Sequence, residues 1–293
     1  MPVTQEFFEN PPKQFRPWTV WWWFGSNATE EDLRWELAQM DEHGIGGVEI
    51  NPIYAMEADN EADGVVSREV FSPAWRRLLL AALNEAEKRG MTVWMRGGSG
   101  WPFGGPWITP ELASQSLVRA TLEVSGPQTW RGPLPKPLAQ ARWSNPRLEC
   151  VFATNSAGER RVLEAQLLPE GRASIEVPPG AWNMQFFSRM NTNMRVKRAG
   201  PGGAGLVMDH YSAQATDAMF AVLEPVLREG KLAAPNAFHG IAEDSLELDD
   251  DNWTGDFLSR FEALRGYDLR PFLPDLWKTQ RRRPASGTTF CKP

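Results

Sequence analysis

Three times in the first 110 residues, a short run of apolar, aromatic or β-branched residues leads into a stretch with helical caps and helical spacing. Residues 18–24, WTVWWWF, form a continuous apolar run between Pro17 and Gly25. That is the pattern of a strand buried on both faces. Asn27 or Thr29 then offers a cap for a helix whose first turn holds Glu30, Glu31 and Asp32, favoured at the positive end of the helix dipole. Leu33, Leu37 and Met40 give this helix its apolar stripe, and Gly44 closes it. The run at residues 47–53, GVEINPI, reads as a second strand. Ser72 and Pro73 open a second helix with Trp75, Leu78, Leu79, Ala82, Leu83 and Ala86 at helical spacing, and Arg89 and Gly90 end it before a third strand at residue 91. Strand-helix units joined by short connections imply an α/β fold with a parallel sheet and right-handed crossovers.

The rhythm then breaks and resumes. Short alternating runs at residues 117–124, 148–154, 173–177 and 182–190, separated by proline and glycine turns, predict a β-rich insertion that ends at AGPGGAG, residues 199–205. LVMD at residues 206–209 reads as a further strand, followed by a helix that Ser212 caps and Gly230 stops, with Ala215, Met219, Val222, Leu223 and Leu227 as its stripe. A strand at residues 237–242 and a helix at 257–264 complete the pattern. The expected division is strand-helix units over 1–112, the β-rich insertion over 113–204, further strand-helix units over 205–277 and an irregular tail over 278–293.

Charge and composition exclude several classes of function. A net charge of −6, with a lone basic run at residues 281–283, argues against nucleic acid, which demands a clustered basic surface. No stretch approaches the roughly twenty apolar residues of a membrane span, and the N-terminus lacks a basic region followed by an apolar core. The chain as given therefore reads as cytoplasmic, or as exported if its N-terminus is incomplete. Two distant cysteines, Cys150 and Cys291, make neither a disulfide framework nor a zinc motif. Fourteen tryptophans against three tyrosines favour a flat apolar ligand, and sugar rings are such ligands.

The chemistry concentrates in loops that follow strands, where a rigid scaffold leaves the loop free to vary. Residues 91–107, MTVWMRGGSGWPFGGPW, are a strand that breaks into glycines and tryptophans. Gly97, Gly98, Gly100, Gly104 and Gly105 permit close backbone approach to a ligand, and Trp101 and Trp107 offer flat faces; equally, the tryptophans of a surface turn would cover the core. Glu49 and Arg96, near the ends of their strands, suit a salt bridge better than catalysis.

Glu243, Asp244 and Glu247 follow the strand at 237–242. Glycosidic hydrolysis needs one carboxylic acid to protonate the leaving oxygen and a second carboxylate to activate water or attack the sugar. Glu247 is the candidate for one of these. Asp209 and His210 can hydrogen-bond sugar hydroxyls or tune a carboxylate, although a structural role for His210 is the alternative reading. Asp249, Asp250 and Asp251 lack the spacing of a calcium loop and read as a solvated turn. His43, His210 and His239 have no zinc spacing, GGSG at 97–100 falls one residue short of a nucleophile elbow, and AGPGGAG is no dinucleotide fingerprint.

Taken together and in order, RPWTVWWWFGSNAT, HGIGGVEI, FSPAWRRLLLAALNEAEKRGMTVWMRGGSGWPFGGPWITPE, MDHYS and EDSLELDDDNWTGDFLSRFEALRGYDLRPFLP resemble the N-terminal and middle part of glycoside hydrolase family 106. The resemblance implies a (β/α)8 barrel of the TIM type with β-rich accessory parts, inverting hydrolysis of α-L-rhamnosides and a calcium ion near the sugar. It implies an active-site role for Glu247 and pocket positions for Trp101, Asp209, His210 and Asp244. Inversion requires two carboxylates roughly 6.5–9.5 Å apart. About five strand-helix units are visible against the eight that closure needs, so a partial barrel is expected, with an exposed sheet edge, an uncovered apolar face and a second carboxylate beyond this chain. The rival readings are a carbohydrate-binding domain without turnover, a barrel glycosidase of another sugar specificity, and a structural domain.

Overall fold

The computed structural model describes residues 4–137, 143–243, 246–248 and 250–280. In chain order the elements begin with α1 (Gln5–Glu9), β1 (Trp18–Phe24), α2 (Glu30–Glu42), β2 (Gly47–Ile53), α3 (Pro73–Arg89), β3 (Thr92–Arg96) and β4 (Gly104–Gly105). A run of five strands follows, β5 (Gln115–Pro133), β6 (Ser144–Asn155), β7 (Arg160–Leu163), β8 (Ala165–Leu168) and β9 (Arg172–Asn191). The remainder is β10 (Leu206–Val207), α4 (Ala213–Ala233), β11 (Phe238–Ala242), α5 (Phe257–Arg265) and α6 (Leu273–Gln280). Two compact units divide these elements: one takes Met1–Ser114 and Asn193–Asp249, the other Gln115–Thr192 and Asp250–Pro293.

The first unit is built on a parallel sheet of order β1-β2-β3-β11. Its helices start as their sequences dictate. The Thr29 hydroxyl accepts from Asp32 N while the Asp32 carboxylate accepts from Thr29 N, a full capping box, and Ser72 and Ser212 cap α3 and α4 through Trp75 N and Ala215 N. Gly90 ends α3 in the left-handed conformation, φ 63°. One face of the sheet packs Trp21, Trp23, Val48, Ile50, Val93, Met95 and Phe238 against Leu33, Leu37, Trp75, Leu79, Leu83 and Leu223 of the helices.

The other face departs from the doubly buried strand expected for β1. Trp18, Val20, Trp22 and Phe24 alternate with the buried Trp21 and Trp23 and remain 38–45% exposed. The helices cover one side of the sheet only, so the period of two decides which tryptophans are core.

Two further expectations change. LVMD at 206–209 does not join the parallel sheet: β10 pairs antiparallel with β4, because Gly205 lets the two backbones approach to a distance no Cβ would permit. Gly230 does not stop α4, which runs on to Ala233. A Cβ at Gly230 would lie 2.7 Å from Phe238 Cε1 and 3.0 Å from Leu83 Cδ1, so this glycine makes room for the core.

The second unit holds an antiparallel sheet, β5-β9-β6-β7 with β8 on β9. The runs at 173–177 and 182–190 are parts of the single strand β9, which bends through Pro178, Pro179 and Gly180, where the pairing with β5 shifts register. Val124, Val151, Ile175, Trp182 and Phe186 form one core, and Leu117, Phe152, Phe187, Trp253, Leu258 and Leu273 another. Cys150 is a free, buried thiol, pushed up to about 12 by burial. Among the described residues, no helix is long and apolar enough to cross a membrane.

Candidate functional site

The polar groups of the first unit gather at the C-terminal ends of its parallel strands, on the face the helices leave open. Arg96, the last residue of β3, has a side chain only 3% exposed. Its Nη2 lies 2.7 Å from Glu49 Oε1 on β2, and its Nη1 lies 3.6 Å from Glu243 Oε1, just past β11. Each residue is therefore in a salt bridge, as expected, here with the other, and Arg96 also reaches the carboxylate that follows β11. Such a buried cation ties strand ends together, because removing either sign would leave a desolvated charge behind. Asn51 lies on the same face, fully buried, with neither amide atom paired among the described residues. Sequence reasoning passed over it, since nothing in GVEINPI distinguishes a buried asparagine from an exposed one.

The loop after β3 carries Trp101 to its place by backbone pairing. Trp101 N donates to Lys197 O at 3.1 Å and Lys197 N donates to Trp101 O at 2.7 Å. This pairing explains much of the glycine content. A Cβ at Gly100, φ 76°, would lie 2.0 Å from Lys197 O, one at Gly104 would lie 2.2 Å from Leu206 O, and one at Gly97 would strike the Phe103 ring. The close approach these three glycines permit is to the protein itself. Gly98 is different, with nothing nearer than Met219 Cε at 3.6 Å. Trp107 packs with the core, its ring centroid 5.7 Å from that of Phe71, and its Nε1 faces Met219 Sδ at 3.0 Å.

Glu247 is brought to the paired segment. Its Oε2 accepts from Trp101 Nε1 at 3.1 Å and lies 2.9 Å from Lys197 Nζ. Half-exposed, this carboxylate has an indole N–H and an ammonium converging on one oxygen. Trp101 and Glu247 were both legible in the sequence; Lys197 was not, because a lysine between two arginines in a loop has no local signature.

Asp209 is 1% exposed, and its Oδ1 accepts from Tyr211 N at 2.9 Å in the turn that enters α4. His210 lies with its ring 6.3 Å from Phe103, and neither ring nitrogen has a partner at hydrogen-bond geometry among the described residues. Burial lowers its pKa from the ordinary value near 6.5, with a smaller opposing pull from the Met208 backbone, so the ring is neutral at pH 7. Asp244 lies outside the described residues.

Among the described residues no group of three or more His, Cys, Asp or Glu side chains is placed to hold a metal ion. Asp251 Oδ1 accepts from Gln115 N at 3.3 Å, and Asp249 lies outside the described residues.

A solved structure of a rhamnosidase from Novosphingobium sp. PP1Y superposes with a TM-score of 0.64 at 16% identity, over 94% of this chain and 43% of that one. That likeness is one of fold. A Formosa agariphila protein named "Putative beta-glucuronidase" is 26% identical over 306 residues, covering 92% of this chain. This chain spans about a quarter of that relative's length, 26%. The family model described as alpha-L-rhamnosidase matches residues 9–161 and 156–286. With nearly its whole length matched, the chain belongs to glycoside hydrolase family 106.

Proposed function

We propose that this chain contributes the sugar-binding end and one catalytic carboxylate of an inverting glycosidase acting on α-L-rhamnosides, with Glu247 as that carboxylate. The observation that carries the reading is the convergence of Trp101 Nε1 and Lys197 Nζ on Glu247 Oε2 at the open end of a parallel sheet. An ordinary surface glutamate has no need of a donor from a glycine-built loop and a second from a segment paired to it. The uncovered face of β1, with Trp18, Val20, Trp22 and Phe24 exposed, supports a (β/α)8 barrel completed by further strands, since the interior of such a barrel is filled by strand side chains. On that reading the partner carboxylate of the inverting pair stands on a strand beyond these four.

Within the mechanism, Trp101 and Lys197 orient Glu247, and the Glu49–Arg96–Glu243 series holds the strand ends in register. His210, neutral and with no ring partner at hydrogen-bond geometry among the described residues, suits a hydrogen bond to a sugar hydroxyl.

The test is hydrolysis by the protein of a panel of aryl glycosides that includes α-L-rhamnoside and β-glucuronide, the second because of the Formosa relative's name. Glu247→Gln should lower turnover of the preferred glycoside by about a hundredfold or more while the circular dichroism spectrum is unchanged. Near wild-type turnover by Glu247→Gln would remove this residue from the mechanism. Saturable rhamnose binding without turnover of any glycoside would favour the carbohydrate-binding reading instead.

A further inference from the structure

A second group of residues spans the ends of β1 and β2. A cleft of about 240 Å³ opens there, lined by Phe24, Asn27, Ala55, Met56, Glu57 and others. Phe24 ends β1 on the open face of the sheet, 39% exposed, and meets Tyr54 edge to face at 5.8 Å. The guanidinium carbon of Arg198 lies over the Tyr54 ring, 5.4 Å from its centroid. The next residue back along the chain is Lys197, which holds Glu247. Phe24, Tyr54 and Arg198 thus form a series of ring and cation contacts that begins at the cleft, and Arg198 adjoins Lys197 in the chain.

The platform is preorganised. Tyr54 N donates to Arg198 O at 3.2 Å, Gly25 N to Ile53 O at 2.9 Å, and Val66 N to Asn27 Oδ1 at 3.1 Å, so the loop after β2 is tied at both edges. Arg198 is held at φ 58°, a left-handed conformation that costs a non-glycine residue free energy and that is concentrated at functional positions. Its side chain is exposed and has no carboxylate within ion-pair distance among the described residues. The face of Tyr54 attracts the cation without occupying its N–H donors, which remain able to engage a second group.

We propose that Phe24, Tyr54 and Arg198 form a subsite for a saccharide unit that bears a carboxylate, a hexuronate next to the sugar being cleaved. The pyranose lies against the exposed Phe24 ring, where its C–H groups replace water, and its carboxylate meets the guanidinium that Tyr54 holds. The proposal rests on the reading that the chain binds carbohydrate at Glu247. It adds a specificity that neither Glu247 nor Trp101 supplies.

Binding to the protein, measured by titration calorimetry, compares a hexuronate trisaccharide with the same trisaccharide whose carboxyl groups are reduced to hydroxymethyl. The acidic form should bind about three- to tenfold more tightly in low salt, as one charge-assisted contact near solvent provides. Arg198→Gln should abolish that preference, Tyr54→Ala should weaken both ligands, and Glu247→Gln should leave the preference intact. Equal binding of the two forms, binding of neither, or an undiminished preference in Arg198→Gln would overturn the subsite. Carboxylate-dependent binding by a protein that turns over no aryl glycoside would refute the catalytic reading and leave the subsite standing. Turnover without the preference would do the reverse.

Discussion

Gly100→Ala isolates the contact that holds the candidate site together. At φ 76°, alanine incurs about 1–2 kcal/mol of left-handed strain. Its Cβ would also lie 2.0 Å from Lys197 O, 2.9 Å from Arg198 C and 3.0 Å from Ala199 N, all backbone atoms that no rotamer change can move. Relief requires the two segments to part, which breaks the reciprocal Trp101–Lys197 hydrogen bonds at about 1 kcal/mol each. The expected loss is about 3 kcal/mol, with the Lys197 amide losing protection in hydrogen exchange. Gly98→Ala is the control, because its φ lies outside the left-handed region and its nearest neighbour stands at 3.6 Å. There the reduced freedom of the unfolded chain should make alanine neutral or stabilising by up to about 1 kcal/mol. Urea unfolding of both variants, followed by circular dichroism, measures the difference. Equal midpoints for Gly100→Ala and Gly98→Ala would refute the claim that backbone contact is what demands glycine in this loop.

Arg96→Met should destabilise by about 2–4 kcal/mol, below the full value for a deeply buried pair because Glu49 and Glu243 retain 24% and 14% side-chain exposure. A smaller loss in thermal or urea unfolding than that of an exposed pair such as Arg34–Glu30 would deny it a structural role. Lys197→Met should lower turnover through Glu247, with recovery in Lys197→Arg; unchanged turnover in Lys197→Met would reduce Lys197 to a surface contact. His210 has a depressed pKa in the folded chain, so the folded state binds fewer protons than the unfolded one. Stability should accordingly be complete above pH 6.5 and fall as pH drops from there through the lowered folded value. His210→Gln should flatten that part of the urea midpoint profile between pH 7.5 and 5.5, and an unchanged slope would show that burial does not hold the ring neutral.

What could be read in the sequence was what short-range physics decides. Thr29, Ser72 and Ser212 cap their helices as their residue types predict, because a cap and its N–H partner are three residues apart. The three early parallel strands and the one at 238–242 follow from runs of apolar residues bounded by breakers. The rule that chemistry follows strand ends singled out Trp101 and Glu247, two side chains that the structure brings within 3.1 Å. The same local reasoning failed where a distant surface intervened. Gly230 carries the signature of a helix stop, yet it sits inside α4 because Phe238 needs its space. The residues at 206–209 have the composition of a parallel strand, yet Leu206 and Val207 pair antiparallel with Gly105 and Gly104.

The candidate site shows the division most clearly. Residue types alone placed a tryptophan and a carboxylate at strand ends, but they did not say that Lys197, from the far side of the β-rich insertion, would pair with Trp101 and turn its ammonium to Glu247. Nor did they say that Arg198 would lie over Tyr54, or that Arg96 would gather carboxylates from two other strands. Hydrogen-bond capping and hydrophobic periodicity act over a few residues and are written in the order of the chain. Convergence of side chains far apart in sequence depends on parallel register and on which loops close against each other, and those are decided by packing the whole sheet at once.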